Sequence, residues 1–163
     1  MAINCFVLGD TSGRPIPTQI LKVYQGAANT ITPGDLLVPD NSNDGYWRIA
    51  ADGEASTYAK EVAVATSTST EGVSTNGTVQ AHKGPNMRIA MVATTAANLS
   101  QAVAGDYVTL DVSDGVQTVD EDDTTNGFLE IENPETSSPG SDSFDTTNGN
   151  IVVIANSTKF LKA

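Results

Sequence analysis

"PDNSNDGYW", Pro39–Trp47, decides between two folds. Its Asp40-x-Ser42-x-Asp44-Gly45 opens like the calcium loop of a helix–loop–helix site, which would make the flanks helical. Such a loop closes with a bidentate Glu at its twelfth position, and counting from Asp40 the twelfth residue is Ala51. The flanks also argue against helices. "DLLVP" before it and "YWRIA" after it are short apolar runs, and Trp47 and Ile49 fall on one face at the two-residue period of a strand. The stretch is therefore read as the loop of a β-hairpin, leaving only a weaker calcium site that would recruit Asp52 or Glu54.

The same reading extends along the chain. "QILKVY" sets Leu21 and Val23 on one face, with Ile20, Lys22 and Tyr24 on the other. "YVTLDV" alternates, with Val108, Leu110 and Val112 inward. "KEVAVA", "RIAMVA" and "IVVI" (151–154) are apolar on both faces, and "IVVI" suits a central strand. One helical turn is expected at Ala96–Val103, stopped by Gly105. "GDLLVPDNSNDGYWRIA" from Gly34 and "GDYVTLDVSDGVQTV" from Gly105 share one plan: Gly-Asp, a strand, a polar loop with Asp-Gly, then a second strand. Each is expected to be a hairpin closed by its Asp-Gly. "DTTNG" occurs at Asp123 and again 22 residues later at Asp145, with a looser "STNG" at Ser74; each Asn-Gly before an apolar strand also signals a hairpin turn.

The fold class that follows is all-β: a compact antiparallel β barrel or sandwich built from hairpins, with an extended N-terminal arm. Residues 1–18 form the arm, because Gly13, Pro15 and Pro17 break regular pairing after an edge strand in "MAINCFVL"; such an arm either folds back on its own barrel or lies on a neighbour. Residues 19–163 form a single β domain. Its segment 133–149, "NPETSSPGSDSFDTTNG", is an exposed loop, poor in apolar residues and rich in Ser, Pro and Gly.

Composition narrows the function. Net charge is −12, a sign that repels nucleic acid and anionic membrane, so neither is an expected partner. Met1–Asp10 has no basic start and no long apolar run, so no secretory leader is expected. Cys5 is the only cysteine, which rules out an internal disulfide. His82 is the only histidine and shares no local signature with Cys5. No zinc spacing, phosphate-cradling glycine loop or nucleophile elbow is present. No cofactor and no catalytic residue is assigned. The run Asp120–Asp123 is expected to be a solvated acidic loop, and Trp47 to be core rather than a sugar-stacking platform.

The order "YQGAANTITPGDLLVPD…YWRIAADGE…KEVAVATST" and then "MRIAMVATTAANLSQAVAGDYVTLDV" resembles the capsid decoration, or cement, proteins of tailed bacteriophages over residues 19–119. The resemblance implies a structural virion protein on the outer surface of the capsid. It also implies a homotrimer that bridges neighbouring copies of the major capsid protein and stabilises the mature shell. No family catalytic residue exists to carry over. On that reading Arg14, Pro15, Ile16, Pro17 and Lys22 are the expected capsid or subunit contacts. Lys159 and Lys162 extend the less acidic end of the chain towards the shell, and the acidic loops face outward. The alternatives are a glycan-binding adhesin or fibre-associated β module and, behind it, a hydrolase using loop carboxylates.

Overall fold

The computed structural model describes residues 4–24, 30–54, 61–70, 76–132 and 147–158. Among them are eleven strands and a single 3-10 helix, Ala96–Gln101. The protein is all-β and predominantly antiparallel. Five strands close into a barrel in the order β2 (Thr18–Val23), β4 (Trp47–Ile49), β3 (Leu36–Pro39), β5 (Ala63–Ala65), β6 (Gly77–His82). Closure needs one parallel contact, Val23 beside Trp47, which hairpin reasoning did not anticipate. The other six form a sheet in the order β1 (Phe6–Asp10), β7 (Met87–Val92), β11 (Asn150–Ala155), β10 (Leu129–Ile131), β8 (Tyr107–Ser113), β9 (Val116–Asp120). This sheet curls until β9 reaches back to the residues after β7: Val119 bridges Ala93, and the Thr94 amide donates to the Val119 carbonyl at 2.8 Å.

The side-chain periods explain how the two parts meet. Within β3, Leu37 points into the barrel, where it joins Leu21, Val23, Ile31, Trp47, Ala63, Ala65, Val79 and Ala81. Its neighbours Leu36 and Val38 point the other way and pack with Met87, Ile89, Leu110, Leu129 and Val153 of the curled sheet. Val64 of β5 does the same between Ala63 and Ala65. Strands β3 and β5 are thus shared walls, buried on both faces, which is why "DLLV" and "VAVA" carry no polar alternation. β11 is likewise central, between β7 and β10.

Several expectations are corrected. Residues 4–18 are not extended but folded back on the chain's own fold, the first of the two expected placements: β1 is an edge strand paired with β7, and both Cys5 and Ile16 are buried in the main core. The prolines that suggested an arm lie after the strand, not within it. Asp114-Gly115 does close the β8–β9 hairpin, with φ of 51° and 77° as a tight two-residue turn requires. The β3–β4 hairpin instead has a seven-residue loop, in which only Gly45 is left-handed, at φ 82°. Asn126-Gly127 closes no hairpin, because β9 and β10 lie on opposite sides of β8. Gly127 is needed for close approach: a Cβ there would sit 2.2 Å from the Tyr107 carbonyl. In the second copy Gly149 is left-handed and its carbonyl accepts from the Ala93 amide. The helical turn stops at Gln101, so Leu99 is buried while Val103 is exposed. Residues 133–146 of the expected loop, together with Ser74, Lys159 and Lys162, lie outside the described residues.

Candidate functional site

The seam between barrel and sheet opens into a groove of about 560 Å³. Residues Asp10 to Pro17 build one wall. Near the end of β1, Gly9 has a φ of 112°, and a Cβ there would lie 2.8 Å from the Arg14 carbonyl oxygen, so no side chain fits without displacement. Asp10 then organises the turn. One carboxylate oxygen accepts from the Ser12 and Arg14 amides at 2.8 and 2.9 Å, and the other from Arg14 Nε at 2.8 Å. Those bonds, the Arg14 amide foremost, hold its carboxyl below the usual range. Pro15 and Pro17 flank Ile16, whose carbonyl bonds His82 Nδ1 at 2.9 Å.

The opposite wall is Lys83-Gly84-Pro85, after β6. The Lys83 amide donates to the Pro17 carbonyl, and Gln19 Nε2 donates to the Lys83 carbonyl at 3.2 Å. Gly84 lies against the methyl groups of Ile16: an added Cβ would meet Cγ2 at 3.3 Å. Asn156, just past β11, closes the end by donating to the carbonyls of Val62 and Gly84 at 2.8 and 2.9 Å. The floor is apolar, and the charges sit on the rim as two ion pairs of 2.8 Å, Arg14 with Asp10 and Lys83 with Glu61. Lys83 Nζ also stands 5.2 Å from the Trp47 ring centre. Arg14 is the outward group, its side chain 75% exposed.

Four of the five expected contact residues, Arg14, Pro15, Ile16 and Pro17, therefore come together, although Ile16 contributes a largely buried side chain rather than an exposed one. Lys22 is not with them. It faces solvent four residues along β2 from Thr18, opposite Thr78, about 13 Å away at the rise of a strand. Lys83, Gly84, Pro85 and Asn156 were missed as wall residues. "HKGP" carried a turn signal, but nothing in the chain tied it to residues 14–17.

The other candidates resolve differently. In the 39–47 loop, Asp40 accepts from the Ser42 amide at 2.8 Å and from Asn43 Nδ2 at 3.2 Å, a side-chain-stapled turn. Glu54 is buried and takes Arg48 bidentately at 2.8 and 2.9 Å, with the Ala51 amide at 3.0 Å, so its oxygens are engaged in holding the loop. That bond is the chief reason the Arg48 guanidinium titrates above its usual range. Among the described residues no three His, Cys, Asp or Glu side chains converge on a metal position. The acidic run is not simply solvated. Glu121 is buried and accepts from the Thr95 amide at 3.2 Å, while Asp122 accepts from Asn98 at 3.3 Å, so both dock the 3-10 helix. Cys5 is buried beside Asp35, and desolvation pushes its thiol far up. His82 is engaged with Ile16 on another element. Trp47 lies inside the barrel, and Tyr46 stacks edge-on to Tyr24 at 5.7 Å and accepts from Asn76 at 2.8 Å.

Comparison of the chain with protein-family models, with curated proteins and with solved structures gives no match. Among the described residues no helix is long and apolar enough to cross a membrane.

Proposed function

We propose that this protein is a structural component of a phage virion that binds the outer capsid surface and bridges major capsid protein subunits. The resemblance over residues 19–119 motivates this reading, and the seam groove is the observation that carries it. On a chain of net charge −12 the groove offers an apolar floor and an outward Arg14, built from residues expected to face a shell. Two interlocked β layers make a stiff carrier for such a contact. A clamp that binds only the mature lattice stabilises it by linkage, because each bound copy lowers the free energy of that state alone. The reading assigns no reaction and no cofactor.

The test has two parts. Quantitative mass spectrometry of purified particles should give a copy number close to that of the shell subunit, or to a simple fraction of it. Mature shells lacking this protein should bind the wild-type chain in sedimentation assays and should bind Arg14→Glu about tenfold more weakly, as for a rim charge set against an opposing surface. Absence from particles, or equal binding of Arg14→Glu, overturns the proposal.

A further inference from the structure

Among the described residues one strand edge is open. The barrel is closed and has no edge. In the curled sheet the far side of β9 is covered by Ala93 and Thr94, which leaves the outer side of β1. Exposed edges are usually defended by charge, by proline or by shortness. From Asn4 to Gly9 there is neither a charge nor a proline. The one irregularity is a bulge between Val7 and Gly9, which leaves Leu8 without a partner on β7. Phe6 is 56% exposed and Leu8 48%. Val92 of β7, 45% exposed, lies two residues beyond Ala90, the partner of Phe6, on the same face. Apolar side chains thus cluster beside a strand side that no described strand pairs with, up to Asp10, whose amide and carbonyl are taken by the Arg14 carbonyl and the Gly13 amide.

We propose that β1 pairs antiparallel with β1 of a second copy across a two-fold axis. A row of backbone N–H and C=O groups is matched by another strand and by little else, so the occupant is a strand. Charge selects which strand. Two copies at −12 each repel unless they meet where charge is absent, and residues 4–9 are such a place. The first carboxylate beyond them, Asp10, is already matched by Arg14 at 2.8 Å. The segment is also self-complementary. Pairing centred on Val7 sets Phe6 opposite Leu8 of the second copy and Leu8 opposite its Phe6, so both exposed side chains gain a cross-strand partner. The contact is isologous and consumes the open edge of both copies, so it stops at two. A three-fold axis cannot pair this edge with itself, so the inference is distinct from the homotrimer that the resemblance implies.

The inference is tested on the free protein, independently of any particle. The mass of the full chain is measured by sedimentation velocity across the micromolar range, for wild type and for Leu8→Lys, Phe6→Lys and Ile20→Lys. The wild type should be a dimer that dissociates on dilution. Leu8→Lys and Phe6→Lys should each weaken association by about tenfold or more, since they put like charges near the axis. Ile20→Lys, on an exposed barrel position, should leave the dimer intact. If Phe6→Lys fails to fold, Leu8→Lys decides, because its residue has no partner on β7. A wild-type monomer at every concentration, a trimer, or a dimer indifferent to Leu8→Lys overturns the inference.

Discussion

The closed barrel and the curled sheet solve the same problem with different materials. The barrel interior is narrow and lined largely by small or β-branched residues: Ala63, Ala65, Ala81, Val23, Val79 and Ile31, with Leu21, Leu37 and Trp47 filling the axis. Closure pairs its strands with one another, yet backbone groups of Leu36, Ala50 and Val62 at the strand ends still face the sheet. The curled sheet packs larger residues, Met87, Ile89, Met91, Leu110, Phe128 and Ile151, and among the described residues its ends meet at an isolated bridge between Ala93 and Val119. The barrel backbone groups that face the sheet are met by side-chain amides that the sheet supplies, from β9 and from just past β11. Gln117 Oε1 accepts from the Leu36 amide at 2.7 Å, while its Nε2 donates to the carbonyls of Leu36 and Ala50 at 3.1 Å. Asn156 does the same at the other end, accepting from the Val62 amide at 2.7 Å and donating to the Val62 and Gly84 carbonyls. Each amide imitates a strand residue, so the two layers are joined by ladder-like bonds as well as by apolar packing.

The sharpest way to break this comparison is to remove one of those joints without changing its size. Gln117→Leu strands the buried Leu36 amide and Ala50 carbonyl, and each orphaned group costs roughly 1–3 kcal/mol. The expected loss is about 4 kcal/mol in urea unfolding, and the transition should broaden as barrel and sheet uncouple. A loss below about 1 kcal/mol would show that apolar packing alone holds the layers together.

Two glycines sharpen the contrast within the sheet. Gly127→Ala places a methyl group against the Tyr107 backbone, which cannot rotate away, and should cost about 3 kcal/mol. Gly115→Ala meets open space and should cost only the strain of its left-handed conformation, about 1 kcal/mol. Thermal denaturation of the pair orders them; equal losses would mean that β8 and β10 can separate to admit the methyl group.

These residues mark how far the sequence could be read. Periodicity found the strands and the two-sided burial of "VAVA", because burial leaves a local imprint on residue type. Asp114-Gly115 was legible for the same reason: its demand for positive φ is local. Gln117 was not, since a glutamine in an alternating strand looks like any solvent-facing polar residue until the opposing backbone is known. "DTTNG" misled because glycine answers two different needs, positive φ and close approach, and the letters do not say which. The single parallel contact between β2 and β4 left no trace, for one residue pair imposes no pattern. At the groove, Arg14–Pro17 could be singled out as an irregular, less acidic stretch. The opposing wall is supplied by remote residues, and Lys22 sits at the wrong end of its strand.

The smallest expected effect separates two carboxylates of the sheet by sign. Asp10 at the end of β1 is held below its ordinary value by backbone amides, whereas Asp120 at the end of β9 is pushed from 3.8 up to about 6. Burial is the first cause for Asp120, and a hydrogen bond shared with Asp122 and the charges of Asp122, Asp123 and Glu121 follow. Between about pH 4 and 6 the folded chain therefore keeps a proton on the Asp120–Asp122 pair that the unfolded chain has released, and stability from this group falls as pH rises through that window. Asp10 acts in the opposite sense: its contribution is present above its unfolded value and is lost as pH falls below it. Asp120→Asn should flatten the fall between pH 4 and 6. For a half-buried, solvent-screened group it should raise stability at pH 7 by no more than about 1 kcal/mol. Asp10→Asn should leave that window untouched and remove a loss seen only in stronger acid. Unfolding midpoints across pH 3–7 for both variants decide it. If Asp120→Asn leaves the slope unchanged, the acidic run is as solvated as its composition suggests, and the docking of Glu121 and Asp122 onto the 3-10 helix costs Asp120 nothing.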